Sequence, residues 1–278
     1  MNKKLSIITL TYNNLNETTI PFIKSLYEYT DTKLFELILV DNGSSDGTFE
    51  YLKRIETEKD NLTIIYNKEN LGYSKGNNQG MKIAQGEFIA LLNNDILLSP
   101  EWHIPLMEKL DNPETALVSP FAIQSRFVKE SKFLSVARKM KSNAQTNYDE
   151  VVKCDFSCVM FKNNLINSIG YFDENFTPAY FEDDDFCVRS ILAGYKNYIS
   201  NQSYIYHKTS STGKKLKERE EIFNRNKEYF FNKHKNNPFI KYWYQCNSEY
   251  NFIKPRFEKL KTYKSTSLKY YVDKIFNN

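Results

Sequence analysis

A chain of 278 residues with 41% hydrophobic residues can bury the core of one large α/β domain, or of one domain plus an appendage. No run approaches the eighteen or so apolar residues of a membrane span. The net charge of +4 conceals a split: residues 208–278 carry +10 and residues 1–207 carry −6, so an acidic part is joined to a basic, aromatic tail.

The first residues, with two lysines before an apolar stretch, begin like a signal peptide. The stretch is short and interrupted by Ser6, Thr9 and Thr11, so a β-strand is expected over 4–10. A polar loop 11–16 and a helix through 21–26 follow, then a strand at 36–40. The turn 42–47 offers Ser45 and Asp46 as caps for a helix over 48–56, where Phe49, Leu52 and Ile55 recur at a three-residue spacing. A strand at 62–66, a turn at 70–72 and a helix over 74–85 stopped by Gly86 come next. The apolar run 88–92 reads as a strand buried on both faces, and it ends abruptly in Asn93, Asn94 and Asp95. Ser99-Pro100 predicts a capped helix start, and 116–121 a fifth strand. This alternation implies a parallel sheet with helices on both faces.

The polar stretch 124–150 has weak periodicity and is expected to be a loop over the site or an irregular insertion. A strand at 151–161, a helix at 163–169 stopped by Gly170, a helix at 182–193 and a strand at 196–206 complete the pattern. Cys154, Cys158, Cys187 and Cys246 show no Cys-x-x-Cys pair or metal-ligand spacing. They read as small core residues in a reduced, cytoplasmic setting.

In open α/β sheets, ligands bind outside the carboxyl ends of the strands. Two apolar strands here end in Asp41 and Asp95, the run 182–185 is four consecutive carboxylates, and His207 follows an aromatic strand. One divalent cation plus a nucleotide diphosphate would account for most of these groups together. An Asp before Asn-Gly, as at Asp41, also forms turns.

Ordered motifs carry a resemblance. They are Ser6-Ile7-Ile8-Thr9-Leu10-Thr11-Tyr12-Asn13, Val40-Asp41-Asn42-Gly43-Ser44-Ser45-Asp46-Gly47-Thr48, and Asn70-Leu71-Gly72-Tyr73-Ser74-Lys75-Gly76-Asn77-Asn78-Gln79-Gly80. Leu92-Asn93-Asn94-Asp95, Gly170-Tyr171-Phe172-Asp173-Glu174, Phe181-Glu182-Asp183-Asp184-Asp185-Phe186-Cys187-Val188-Arg189 and His207 complete the set. Over residues 4–212 the chain resembles a family 2 glycosyltransferase of the GT-A fold. Its Asn-Asn-Asp form is similar to a subgroup that includes rhamnosyltransferases of bacterial surface polysaccharides. It departs from the common Asp-x-Asp motif at Asn93, a neutral side chain, and leaves the metal to Asp95.

The resemblance implies an α/β GT-A catalytic domain over 1–212, with a mostly parallel central sheet, and a basic, mainly helical extension over 213–278. It implies a metal-dependent, inverting transfer from a UDP- or dTDP-linked donor to a saccharide or lipid-linked acceptor in surface glycan assembly. A protein or nucleic-acid acceptor is the alternative. Thr11, Tyr12, Asn13 and Asp41 would border the base. Asn70, Gly72 and Asn77 would lie against base and ribose, with Asn93 and Asn94 beside the donor. Asp95 and His207 would hold Mn²⁺ or Mg²⁺ against the departing diphosphate. Asp183 would be the general base, and Glu182 would hold the acceptor or orient the base. Asp185 reads better as a favourable charge at a helix N-terminus.

Two rival classes are a nucleotidyltransferase, whose Gly-rich loop is replaced here by 11–14, and a binding module, which would need no base. The tail, with 15 aromatics over 208–278, suits packing or oligomerisation, then peripheral contact at the inner face of a membrane, and least of all nucleic acid. Its expected role is attachment or assembly rather than bond formation.

Overall fold

The computed structural model describes residues 4–208 and 216–236. Strands β1 (Leu5–Thr11), β2 (Phe35–Asp41), β3 (Leu62–Tyr66) and β4 (Phe88–Asn93) alternate with helices α1 (Ile20–Tyr29), α2 (Thr48–Glu58) and α3 (Gly72–Ile83). These four strands pair in parallel in the order β3-β2-β1-β4. The apolar residues of β1, β2 and β4 are nearly all buried, on both faces, as continuous runs such as Ile7-Ile8 and 37–40 require, whereas those of the edge strand β3 are mostly half-buried. Helix α3 lies unusually close to β1 because Gly80 faces it: a Cβ there would meet Ile8 Cγ2 at 2.5 Å. That approach brings the start of α3 to the carboxyl edge of the sheet.

Beyond β4 the sheet is mixed. Its elements are β5 (Ile96–Leu98), α4 (Ile104–Leu110), β6 (Thr115–Gln124), α5 (Phe133–Ser142), β7 (Tyr148–Val151), β8 (Cys158–Lys162), α6 (Leu165–Ile169), α7 (Glu182–Leu192) and β9 (Lys196–His207). Strand β8 inserts antiparallel between β4 and β6, β9 runs parallel to β6, and β5 and β7 each pair antiparallel with β9. The parallel first half is as expected, and the antiparallel insertions are not legible from simple alternation.

Three local expectations differ from the structure. Ser99-Pro100 does not open a helix: Ser99 Oγ donates to Tyr204 O at 2.8 Å, and α4 starts at Ile104 with Pro105 in its first turn. The polar stretch 124–150 contains α5 and β7. The strand expected over 151–161 is β8, and the residues before it form turns. Cys154, Cys158 and Cys187 are free and buried; Cys246 lies outside the described residues.

The chain divides into two units, residues 1–227 and 228–278. Helix α8 (Leu216–His234) begins in the first. The boundary expected at 212 and most of the basic tail lie outside the described residues. Among the described residues no helix is long and apolar enough to cross a membrane.

Candidate active site

Strand register assembles the site. Strands β1 and β2 align Thr11 with Asp41, and β1 and β4 align Leu10 with Asn93. Strand β5 sets Ile96 opposite His207, and β6 sets Gln124 beside it. Asp95, one residue before β5, therefore meets the end of β9. His207 Nε2 lies 3.4 Å from Asp95 Oδ1, with both side chains largely buried, and Lys208 N donates to Asp95 O at 2.9 Å. Gln124 Nε2 faces the other ring nitrogen at 3.4 Å. Burial opposes a charge on His207, but the bond and charge of Asp95, with Asp155 nearby, outweigh it and raise the imidazole pKa. A carboxylate oxygen beside an imidazole nitrogen suits Mn²⁺ or Mg²⁺. Among the described residues no three His, Cys, Asp or Glu gather at metal-binding distance. Asp95 and His207 would supply two of the ligands such a cation needs.

On the donor side, Asp41 is 1% exposed. Its Oδ1 accepts from Thr11 Oγ1 at 3.1 Å and Ser44 Oγ at 2.5 Å, while among the described residues Oδ2 accepts only from Ser44 N, at 3.3 Å. Asp41 therefore holds the turn and keeps lone-pair capacity on Oδ2. Asn13, at φ 56°, donates its N–H to Ser44 Oγ and accepts from Ser45 N, both at 2.8 Å. That tie joins the first two motifs. Tyr12 is 43% exposed.

The other expected donor residues are engaged with the fold. Asn70 Oδ1 accepts from Gly72 N at 2.9 Å and opens α3. Gly72 has φ +82°, and a Cβ there would meet Pro178 O at 2.7 Å. The close approach it permits is to that backbone. Buried Asn77 donates to Tyr73 O at 3.0 Å. Asn94 Nδ2 donates to Thr18 and Thr19 hydroxyls at 3.2 and 3.0 Å, bracing the turn before α1. Asn93 N donates to Ser157 O at 2.9 Å.

The acidic run opens α7, where the macrodipole favours carboxylates. Lys153, absent from the sequence-level candidates, lies between two of them: its Nζ is 2.9 Å from Asp183 Oδ2 and 2.7 Å from Asp184 Oδ2. Burial opposes ionisation of Asp183, but Lys153 outweighs it and holds this carboxyl below the usual range. Burial pushes Asp184 up to about 7 despite Lys153. Burial, then the charge of Asp183, drives Glu182 well above a normal carboxyl, and its Oε2 is buried with no hydrogen-bond partner among the described residues. Asp185 pairs with Arg189 Nε at 2.8 Å, and Arg189 also donates to Tyr171 O at 2.9 Å. Asp185 thus adds a structural tie to its place in the first turn.

One segment connects these corners. Lys153 holds Asp183, Asp155 acts on His207, Phe156 O accepts from Tyr73 Oη at 3.2 Å, and Ser157 O accepts from Asn93 N. Burial and then Glu182, Asp183 and Asp155 raise the Tyr73 phenol. Tyr73 lies within a recognised motif; Gln124 opens the weakly periodic stretch, and Lys153 and Asp155 fall in the strand expected over 151–161, where no local signal marks them as site residues.

The family model for "Glycosyl transferase family 2" matches residues 6–170. A glycosyltransferase of Rickettsia felis is 27% identical over 208 residues, covering 70% of this chain and 31% of that protein. The low-salt glycan biosynthesis hexosyltransferase Agl10 of Haloferax volcanii is 25% identical over 199 residues, 67% of this chain and 61% of the relative. The crystal structure of GalNAc-T7 with UDP, GalNAc and Mn²⁺ superposes with a TM-score of 0.64 at 15% identity, covering 82% of this chain and 50% of that one. The chain thus spans about a third of the Rickettsia protein and half of the GalNAc-T7 chain. It has the GT-A fold, and it belongs to glycosyl transferase family 2.

Proposed function

We propose that this domain transfers a sugar from a UDP- or dTDP-linked donor to a saccharide or lipid-linked acceptor in surface glycan assembly, with metal dependence and inversion. The observation that carries the reading is the opposed behaviour of the adjacent carboxyls Glu182 and Asp183 at the start of α7, in a chain that also pairs Asp95 with His207. Lys153 holds the Asp183 carboxyl below the usual range, while burial raises that of Glu182 well above it. Neighbouring carboxyls pushed apart in this way mark distinct acid–base roles.

Asp183 accepts the proton of the acceptor hydroxyl as its oxygen bonds to the anomeric carbon. The bond from that carbon to the diphosphate oxygen breaks on the opposite face, so the configuration inverts. Glu182 holds the acceptor or orients the base. Asp41, through Oδ2, accepts from the base, and Tyr12, Asn13 and Thr11 border it; Asn70, Gly72 and Asn77 shape the first turns of α3 beneath the nucleotide. Asn93 and Asn94 set the turn that presents Asp95. A divalent cation held by Asp95 and His207 would stabilise the charge of the departing diphosphate. The GalNAc-T7 structure, which holds UDP and Mn²⁺, supports this choice of nucleotide and metal. The basic tail is read as peripheral contact with an anionic membrane or as an assembly surface.

Asp183→Asn tests the reading. The near-isosteric change should leave UDP binding intact and lower turnover by about a hundred- to ten-thousand-fold. Near-normal turnover at saturating substrate would remove Asp183 from the mechanism.

A further inference from the structure

Residues 176–181 run directly into Glu182, and their conformation needs outside support. Tyr180 and Phe181 have φ of 79° and 71°. Side-chain-bearing residues persist in this left-handed region where surrounding contacts over-determine them. Phe181 is the residue that caps α7, so its dihedrals set the placement of the first turn that carries Glu182 and Asp183.

The backbone carbonyls of this segment are held from two sides. Phe176 O accepts from Ser74 Oγ at 3.2 Å, and Pro178 O from Tyr73 N at 2.8 Å; both donors lie in the first turn of α3. The intervening and following carbonyls are taken by α8. Arg225 donates to Thr177 O, and Asn226 Nδ2 donates to Ala179 O at 2.8 Å and Tyr180 O at 3.1 Å. Phe223 packs edge-on to Tyr180 and tilted against Phe181, at centroid distances of 5.9 and 5.1 Å. Asn226 is 1% exposed, and Arg225 Nε donates to its Oδ1 at 3.1 Å. That bond orients the amide so that its NH₂ faces the two carbonyls.

We propose that Asn226 is a positioning residue for glycosyl transfer. Its amide, oriented by Arg225, locks the 177–181 turn and thereby aims Asp183 at the acceptor oxygen. The part of the chain read as a basic tail thus contributes to the reaction through three residues of α8. The inference rests on Asp183 as the base.

The test uses the full chain and Asn226→Asp. Asp keeps the acceptor for Arg225 but replaces the NH₂ donor with an oxygen facing two carbonyls. Turnover is measured as diphosphate release from UDP-glucose, UDP-N-acetylglucosamine and dTDP-rhamnose with Mn²⁺. The rate should fall at least tenfold, UDP affinity by calorimetry should change less than threefold, and amide exchange should quicken at least tenfold in 177–186 alone. Arg225→Met, on an exposed side chain, should give the same pattern at about threefold and serves where Asn226→Asp does not fold. Wild-type turnover in the folded variants overturns the proposal. So does exchange that is unchanged in 177–186 or quickens evenly across the unit. Loss of function by the base assignment is a separate failure, read on Asp183→Asn, and would leave the local exchange signature of Asn226→Asp standing.

Discussion

At the scale of single residues, Lys153 decides which carboxyl is ready to accept a proton. It lies within 3 Å of Asp183 and Asp184, and its charge is what outweighs the burial of Asp183. Removing that charge raises the Asp183 pKa, so a reaction that needs ionised Asp183 loses its acid limb at higher pH. Lys153→Met is expected to move the acidic limb of kcat/KM upward, so that activity falls more at pH 5 than at pH 8. Lys153→Arg keeps a cation in place and should restore the wild-type limb. An unmoved limb in Lys153→Met would separate Asp183 from the titration. Asp41, Asp95, Asp183 and His207 were legible in the sequence because each follows an apolar strand or sits in an ordered motif. Lys153 was not, because its partners lie thirty positions away and no local pattern records a contact at that distance.

At the scale of elements, the motifs act by holding one another. Asn78 Nδ2 donates to Phe172 O, and Phe172 N donates to Asn78 Oδ1, each at 3.0 Å; this joins the motif that opens α3 to the one that precedes α7. Gly72 seals the same junction against Pro178. Gly72→Ala places a Cβ 2.7 Å from a backbone oxygen at a φ of +82°. Overpacking of this kind costs roughly 1–3 kcal/mol, before the penalty of left-handed backbone for a side-chain-bearing residue. The variant should lose about 2 kcal/mol or more in urea unfolding, with the transition midpoint as the readout. An unchanged midpoint would mean that α3 and the 177–181 turn do not meet this closely. Elements with strong periodicity were legible to within a few residues. Helix α5 was not, because only Phe133, Val136 and Ala137 are buried along it. Strand β7 was hidden because it pairs only with β9 and buries no residue fully. Strand β5 is three residues long, too short for a periodic signal.

At the scale of the whole molecule, the parallel half follows from alternating strands and helices, whereas the mixed half depends on pairings between distant segments. Strand β9 is central to that half: it pairs with β5, β6 and β7 and ends in His207. The sheet thereby brings His207 to Asp95 across more than a hundred residues of chain. In the proposed reaction this pair holds a divalent cation against a nucleoside diphosphate. The most direct measurement is calorimetry of UDP binding with and without Mn²⁺, on the wild-type chain and on Asp95→Ala. The account predicts that Mn²⁺ strengthens binding by at least tenfold in the wild type and that Asp95→Ala abolishes this gain while remaining folded. Equal Mn²⁺-dependent affinity in the two proteins would contradict it.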